Sequence, residues 1–387
     1  MFSVSSNELS RERGALTGRT FATLCLAIFL FLSAFVVWKA WQAADGHLIF
    51  TLDDPYLHLA VAETLLQGGY GVNFPQTSSP SSSILYTLLL APFVALGAEA
   101  AGALGLSLTA QGAAVWLVAR LIWDHLLEAL PEGLRLPAEW GAALLTGLLA
   151  VSPAESRPGR PVAAVATAAP GAHLIFGKFG WFGRYEPYAV ALALVALTAA
   201  GGRALSTLRP VWAGPTVALA VLGVVAVPFL TPAKDTPAAS RNIFEQQYQM
   251  HRFTTEFFPR TVAVNALGWV AYRNDGHVLD LWGLGSEEVR RATRSAGGLT
   301  PELIAELADR KGAVYAMIYD RWFKGRVPPS WCRMAVLRTS LVTAGSDEVS
   351  FYLIDPAEAP AMAGALARFA PTLPAGASLE VIPCPRP

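Results

Sequence analysis

Apolar positions in the first 231 residues cluster in largely apolar runs, at residues 20–41, 83–97, 101–123, 140–153, 162–176, 187–200 and 212–230. A membrane-spanning helix needs about 20 mostly apolar residues. The runs at 20–41 and 101–123 have that length, and the shorter ones need their flanks to reach across. Read as a series they predict about seven spans. Trp38 and Trp41 close the first run, and Trp116 and Trp123 lie towards the end of the third, where amphipathic rings suit a membrane boundary. The first run is too long for the core of a cleaved signal, so it predicts a retained anchor.

The pattern changes after residue 231. Short apolar runs at 261–265, 277–281, 314–319 and 349–354 predict strands, and 286–295 and 301–311 predict helices. Alternation of this kind predicts a small α/β layer domain. The expected fold is a membrane all-α helical bundle of about seven spans with a C-terminal extracytoplasmic α/β domain. Its parts are a cytoplasmic N-terminus (1–19), a transmembrane domain (20–231) with a first external loop at 42–82, and the α/β domain (232–387).

Composition agrees with lipid. Of the 387 residues, 53% are hydrophobic and 15% charged, against about 25% charged in soluble domains. The 29 basic and 29 acidic residues balance, and no basic stripe suggests nucleic acid. Arg11, Arg13 and Arg19 precede the first run and place the N-terminus in the cytoplasm. With seven spans, Arg157, Arg160, Arg203 and Arg209 share that side, whereas Arg120 and Arg135 run against the bias. The loop at 42–82 contains no Lys or Arg and falls outside, as does everything after residue 231. Cys25 sits in an apolar run as a small hydrophobe. Cys332 and Cys384 fall in the soluble part, where an oxidising compartment would let them pair.

Two segments carry candidate chemistry. Asp53 and Asp54 are adjacent carboxylates before Pro55, at the start of a helix that runs to Gly68-Gly69. Pro suits a first helical turn, and acids there suit the N-cap and the helix dipole. That helix, apolar over Leu57, Leu59, Ala60, Val61, Leu65 and Leu66, would suit the membrane interface. The acids could share a divalent metal, Mg or Mn, or one could act as a base while the other positions substrate. The plainer reading is an N-cap pair on a solvated loop. His58 is the histidine closest to them on a shared helix face; a core role is the simpler reading, with substrate binding as the alternative. The second segment is the run at 173–188, where Lys178 and Arg184 could hold a phosphate. Tyr185 and Glu186 stand beside them among aromatic residues that could border a sugar or a lipid tail. An aromatic belt with snorkelling cations is the bland alternative. Under seven spans both segments share the outer face. No Walker-type loop, His-Glu-x-x-His or Cys-x-x-Cys is present.

Asp53-Asp54-Pro55-Tyr56-Leu57-His58-Leu59, with Gly69-Tyr70-Gly71-Val72-Asn73 and Ser78-Ser79-Pro80-Ser81-Ser82-Ser83, resembles the first external loop of bacterial GT-C fold glycosyltransferases. Gly180-Trp181-Phe182-Gly183-Arg184-Tyr185-Glu186 is similar to a second family segment, as are Val262-Ala263-Val264-Asn265 and Val278-Leu279-Asp280-Leu281-Trp282-Gly283. The resemblance implies a multi-pass bacterial inner-membrane enzyme of the cell envelope. Such an enzyme transfers a sugar with inversion from a polyprenyl-phosphate donor to an extracytoplasmic glycan, lipid or protein acceptor. It implies Asp53 or Asp54 as general base, Arg184 and Lys178 at the donor phosphate, and Glu186 positioning a residue or substrate. The middle stretch at 151–173 is shorter than in the family, and Ala266 stands where relatives often carry an acid. The alternative is therefore a shortened non-catalytic paralogue, serving as a membrane scaffold or partner-binding protein.

Overall fold

The structure, a computed structural model, describes residues 17–124, 210 and 213–384. Elements are numbered in chain order among those residues. The chain divides into two compact units, one of Met1–Trp38 and Gly105–Asp235, the other of Lys39–Leu104 and Thr236–Pro387.

The first unit holds most of α1 (Gly18–Ala43) and α4 (Glu99–Ile122). Within it Phe21, Cys25 and Phe29 of α1 pack with Val115, Ala119 and Ile122 of α4. Cys25 is fully buried there, as a small hydrophobe should be. Among the described residues two helices are long and apolar enough to cross a membrane, Gly18–Ala43 with mean hydropathy 2.5 and Glu99–Arg120 with 1.4. Only 22% and 28% of these stretches are buried within the protein. A core helix of a soluble domain would be mostly covered, so these two are compatible with a membrane protein.

Two qualifying helices correct the expected seven-span bundle. The run at 83–97 forms α3 (Ile84–Ala95), whose 12 residues rise about 18 Å, short of a core about 30 Å thick. Its end is set by Gly97, whose φ of 67° leaves the helical region. The run at 212–230 opens α5 (Ala213–Glu245), a helix of 33 residues that continues into the polar sequence before the C-terminal domain. The runs expected at 140–153, 162–176 and 187–200 lie outside the described residues.

The second unit is built on a mixed six-stranded sheet ordered β2-β1-β3-β5-β4-β6. Its strands are β1 (Val262–Val264), β2 (Val278–Asp280), β3 (Tyr315–Ile318), β4 (Cys332–Arg338), β5 (Glu348–Leu353) and β6 (Ser378–Val381). β1 runs parallel to both β2 and β3, and the remaining pairings are antiparallel. The three parallel strands are buried throughout, which explains why they read as continuous apolar runs. Alternate side chains serve two cores. Val262, Val264, Tyr315 and Met317 face one, and Ala263, Leu279, Ala316 and Ile318 face the other. The second core is closed by Val289 of α8 (Glu287–Ser295) and by Ile304 and Leu307 of α9 (Pro301–Arg310).

The first core takes in α2 (Asp54–Leu66), α6 (Gln247–Arg252), α7 (Gly268–Ala271) and α10 (Ala359–Phe369). Helix α2 is therefore an internal element, with Tyr56 through Ala62 buried, and not the interfacial helix expected from its sequence. A helix apolar on all sides is one that packs on all sides. Cys332 at the start of β4 is joined by a disulfide to Cys384 beyond β6. The bond fastens an edge strand that otherwise pairs only with β4.

Candidate functional site

Asp53 precedes α2 but does not cap it. Its backbone is already helical, with φ −76° and ψ −25°, whereas a capping side chain works from an extended backbone. The carboxylate turns instead to the sheet domain. Its Oδ2 accepts the Gly268 N–H at 2.7 Å and its Oδ1 accepts the Trp269 N–H at 2.8 Å. These are the first amides of α7, which have no partner inside the helix. Position 268 must be glycine for this approach, because a Cβ there would fall on the Asp53 carbonyl oxygen and carboxylate.

The half-buried Asp53 carboxyl is pushed up to about 6. Burial is the largest cause, the two amides oppose it, and the neighbouring Asp54 charge adds to it. Asp54 is the first residue of α2 and is also half-buried. Aromatic rings stand beside the Asp53 contact. Tyr56 stacks on Trp269 at 3.9 Å between centroids, and Tyr248 and His251 approach the same indole at 5.0 and 5.2 Å. Burial pushes the His251 imidazole down to about 4, so the ring is neutral over most of the working pH range.

The other sequence candidates fall differently. His58 is buried, with Nδ1 2.8 Å from Ser81 Oγ and 3.4 Å from Thr87 Oγ1, and Nε2 3.4 Å from Ser82 Oγ. These contacts brace the serine-rich turn of the first loop against α2. Lys178, Arg184, Tyr185 and Glu186 lie outside the described residues. The possible metal pair, Asp53 and Asp54, fits poorly. Each Asp53 oxygen already accepts one backbone N–H, which leaves fewer lone pairs for a cation. Among the described residues no three His, Cys, Asp or Glu side chains come together as ligands.

Sequence reasoning missed the partners that join the first loop to the sheet domain. The Asn73 side chain donates to the Val278 carbonyl and accepts the Val278 N–H, both at 2.9 Å, so an amide side chain completes the edge of β2. Glu63 accepts the Arg273 N–H at 3.0 Å, and Glu99 accepts the Tyr272 hydroxyl at 2.6 Å and pairs with Arg273. Ser240 donates to the Ile49 carbonyl at 2.6 Å. The amide run Gln246-Gln247 and Gln249, buried in an aromatic setting, was the available signal for a polar interior on the sheet side.

Residues 241–352 match a family described as a domain of unknown function, DUF8728. Neither a curated protein nor a solved structure matches the chain.

Proposed function

We propose that the chain is a membrane glycosyltransferase that moves a sugar, with inversion, from a polyprenyl-phosphate donor to an extracytoplasmic acceptor, with Asp53 as general base. The observation that carries this reading is the Asp53 carboxyl, fixed by the Gly268 and Trp269 amides and tuned to about 6. A base is most effective with a pKa near the working pH and a fixed position. Each carboxylate oxygen uses one lone pair on an amide and retains another for an acceptor hydroxyl. As the bond from the anomeric carbon to the phosphate oxygen breaks, the acceptor oxygen attacks from the opposite face and Asp53 takes its proton. Asp54 contributes the charge that helps to raise Asp53. The resemblance assigns the donor phosphate to Arg184 and Lys178 and a positioning role to Glu186, with Tyr185 among the aromatic residues beside them.

The same proposal places the chain in a bacterial inner membrane, multi-pass, with the N-terminus in the cytoplasm and the sheet domain outside. Support comes from α1 and α4, from the apolar face that α3 exposes at Ile84, Leu85, Leu88 and Leu89, and from the Cys332–Cys384 disulfide. Disulfides persist mainly in oxidising compartments.

One observation favours the second reading, a non-catalytic scaffold. Both Asp53 oxygens already serve the joint between loop and sheet. Sugar transfer by the lipid-embedded protein from a panel of polyprenyl-phosphate sugars separates the two. Transfer that is abolished in a folded Asp53→Asn protein supports the enzyme, and a folded wild type inert towards every donor supports the scaffold.

A further inference from the structure

The three parallel strands end at one edge of the sheet, and the chain leaves β1 towards β2 but leaves β3 towards the opposite side. Open α/β sheets bind ligands in the crevice outside such a reversal. Here that edge carries Trp282 just after β2, Asn265 just after β1, and Tyr319 and Trp322 just after β3. Trp282 is 51% exposed, its ring 5.1 Å from Trp322, whose ring is 5.4 Å from Tyr319. The Tyr319 N–H donates to Asn265 Oδ1 at 2.9 Å, and Gln247 Nε2 donates to the Tyr319 hydroxyl at 3.0 Å. That leaves Asn265 Nδ2 and Gln247 Oε1, on side chains 8% and 2% exposed, with no hydrogen-bond partner.

A buried donor and a buried acceptor, both uncharged, each carry a cost until they are paired. A hydroxyl group can serve either. Trp282, exposed at the end of the strand next to that of Asn265 and linked to Tyr319 through Trp322, offers a flat apolar face of the kind a sugar ring covers with its C–H bonds. We propose that the carboxyl edge of β1, β2 and β3 is a subsite for a neutral hydroxylated ring, with Trp282 as its platform and Asn265 and Gln247 as its hydrogen-bonding floor. A lipid surface would suit Trp282 and the equally exposed Leu284, but it offers nothing to Asn265 Nδ2 or Gln247 Oε1. The identification of this ring as the acceptor rests on the transferase reading; the binding itself does not.

The test is saturation-transfer NMR on the full chain in nanodiscs with neutral hexoses, pentoses and their methyl glycosides. Saturable transfer to ring protons is expected, at least tenfold weaker in Trp282→Ala and within threefold of wild type in Trp282→Phe. Asn265→Asp at alkaline pH keeps an oxygen for the Tyr319 N–H and replaces the donor, so it should also weaken binding about tenfold. No saturable transfer from any sugar to the wild-type protein overturns the proposal. So does a Trp282→Ala protein that keeps the sugar signal but loses retention on anionic vesicles. Sugar binding without turnover of any donor would leave the subsite standing and bring down the transferase. Turnover without neutral-sugar binding would do the reverse.

Discussion

The Asp53 carboxylate and the Gly268 amide meet at 2.7 Å across a sequence separation of 215 residues. This contact ties the start of the first-loop helix to the turn that follows the first strand. Replacing Gly268 by Ala would force a methyl group onto the Asp53 backbone. The expected cost is about 2 kcal/mol or more, the range for overpacking combined with lost buried hydrogen bonds. Asp53→Asn should cost about 1–3 kcal/mol, because its amide nitrogen would face an N–H donor. Denaturant unfolding of both variants measures these losses.

Asn73 makes an equally distant joint, at Val278. Asn73→Leu keeps the volume but leaves a buried strand N–H and carbonyl unpaired, for an expected loss of about 1–3 kcal/mol. Hydrogen exchange should show the Val278 amide among those that lose the most protection.

The first-loop helix and the strands were legible in the sequence to different degrees. β1, β2, β3 and β5 fall on the apolar runs expected to be strands, because full burial leaves a continuous hydrophobic signature. β4 was missed because Cys332 and Arg333 begin it and Arg338 ends it, which hides the buried Ala335-Val336-Leu337. β6 is an edge strand with no buried residue and so no pattern to read. The span count failed for a related reason: a short apolar helix such as α3 and the first part of a long one such as α5 look alike in sequence. The acidic pair was visible as a pair, but the partners of Asp53 are backbone amides, which no residue type announces. Gly268 was their one trace, and its meaning depends on a neighbour 215 residues away.

Two half-buried groups near Trp269 are shifted in opposite directions. His251 lies at about 4 when folded, against an ordinary 6.5. Its neutral form is favoured by folding, so its contribution is present above about 6.5 and is lost as pH falls to about 4. Asp53 lies at about 6 against 3.8, so its burial costs stability above about 6 and that cost disappears as pH falls to about 4. The two largely cancel in wild type. In His251→Phe only the Asp53 contribution remains. The stability of this variant relative to wild type should rise as pH falls from 6.5 to about 4, a trend that urea unfolding at a series of pH values would reveal.

The disulfide closes a loop over 52 residues and holds the outer strand pair. Cys384→Ser should lower stability by about 2–4 kcal/mol, as expected for a cross-link over a loop of this size. A reductant should lower the melting temperature of wild type and leave that of Cys384→Ser unchanged.

If Asp53 is the base of a sugar transfer, the initial transfer rate against pH reports its titration. The lipid-embedded wild type, Asp53→Asn and Asp54→Asn would be compared with a polyprenyl-phosphate sugar that the wild type turns over. The expected wild-type profile falls on the acid side with a midpoint near about 6, set by the Asp53 carboxyl. Asp54→Asn should move that midpoint lower, because the charge that helps to raise Asp53 is gone, and Asp53→Asn should abolish transfer. Undiminished transfer by Asp53→Asn, or an acid limb that Asp54→Asn leaves in place, would rule out Asp53 as the base.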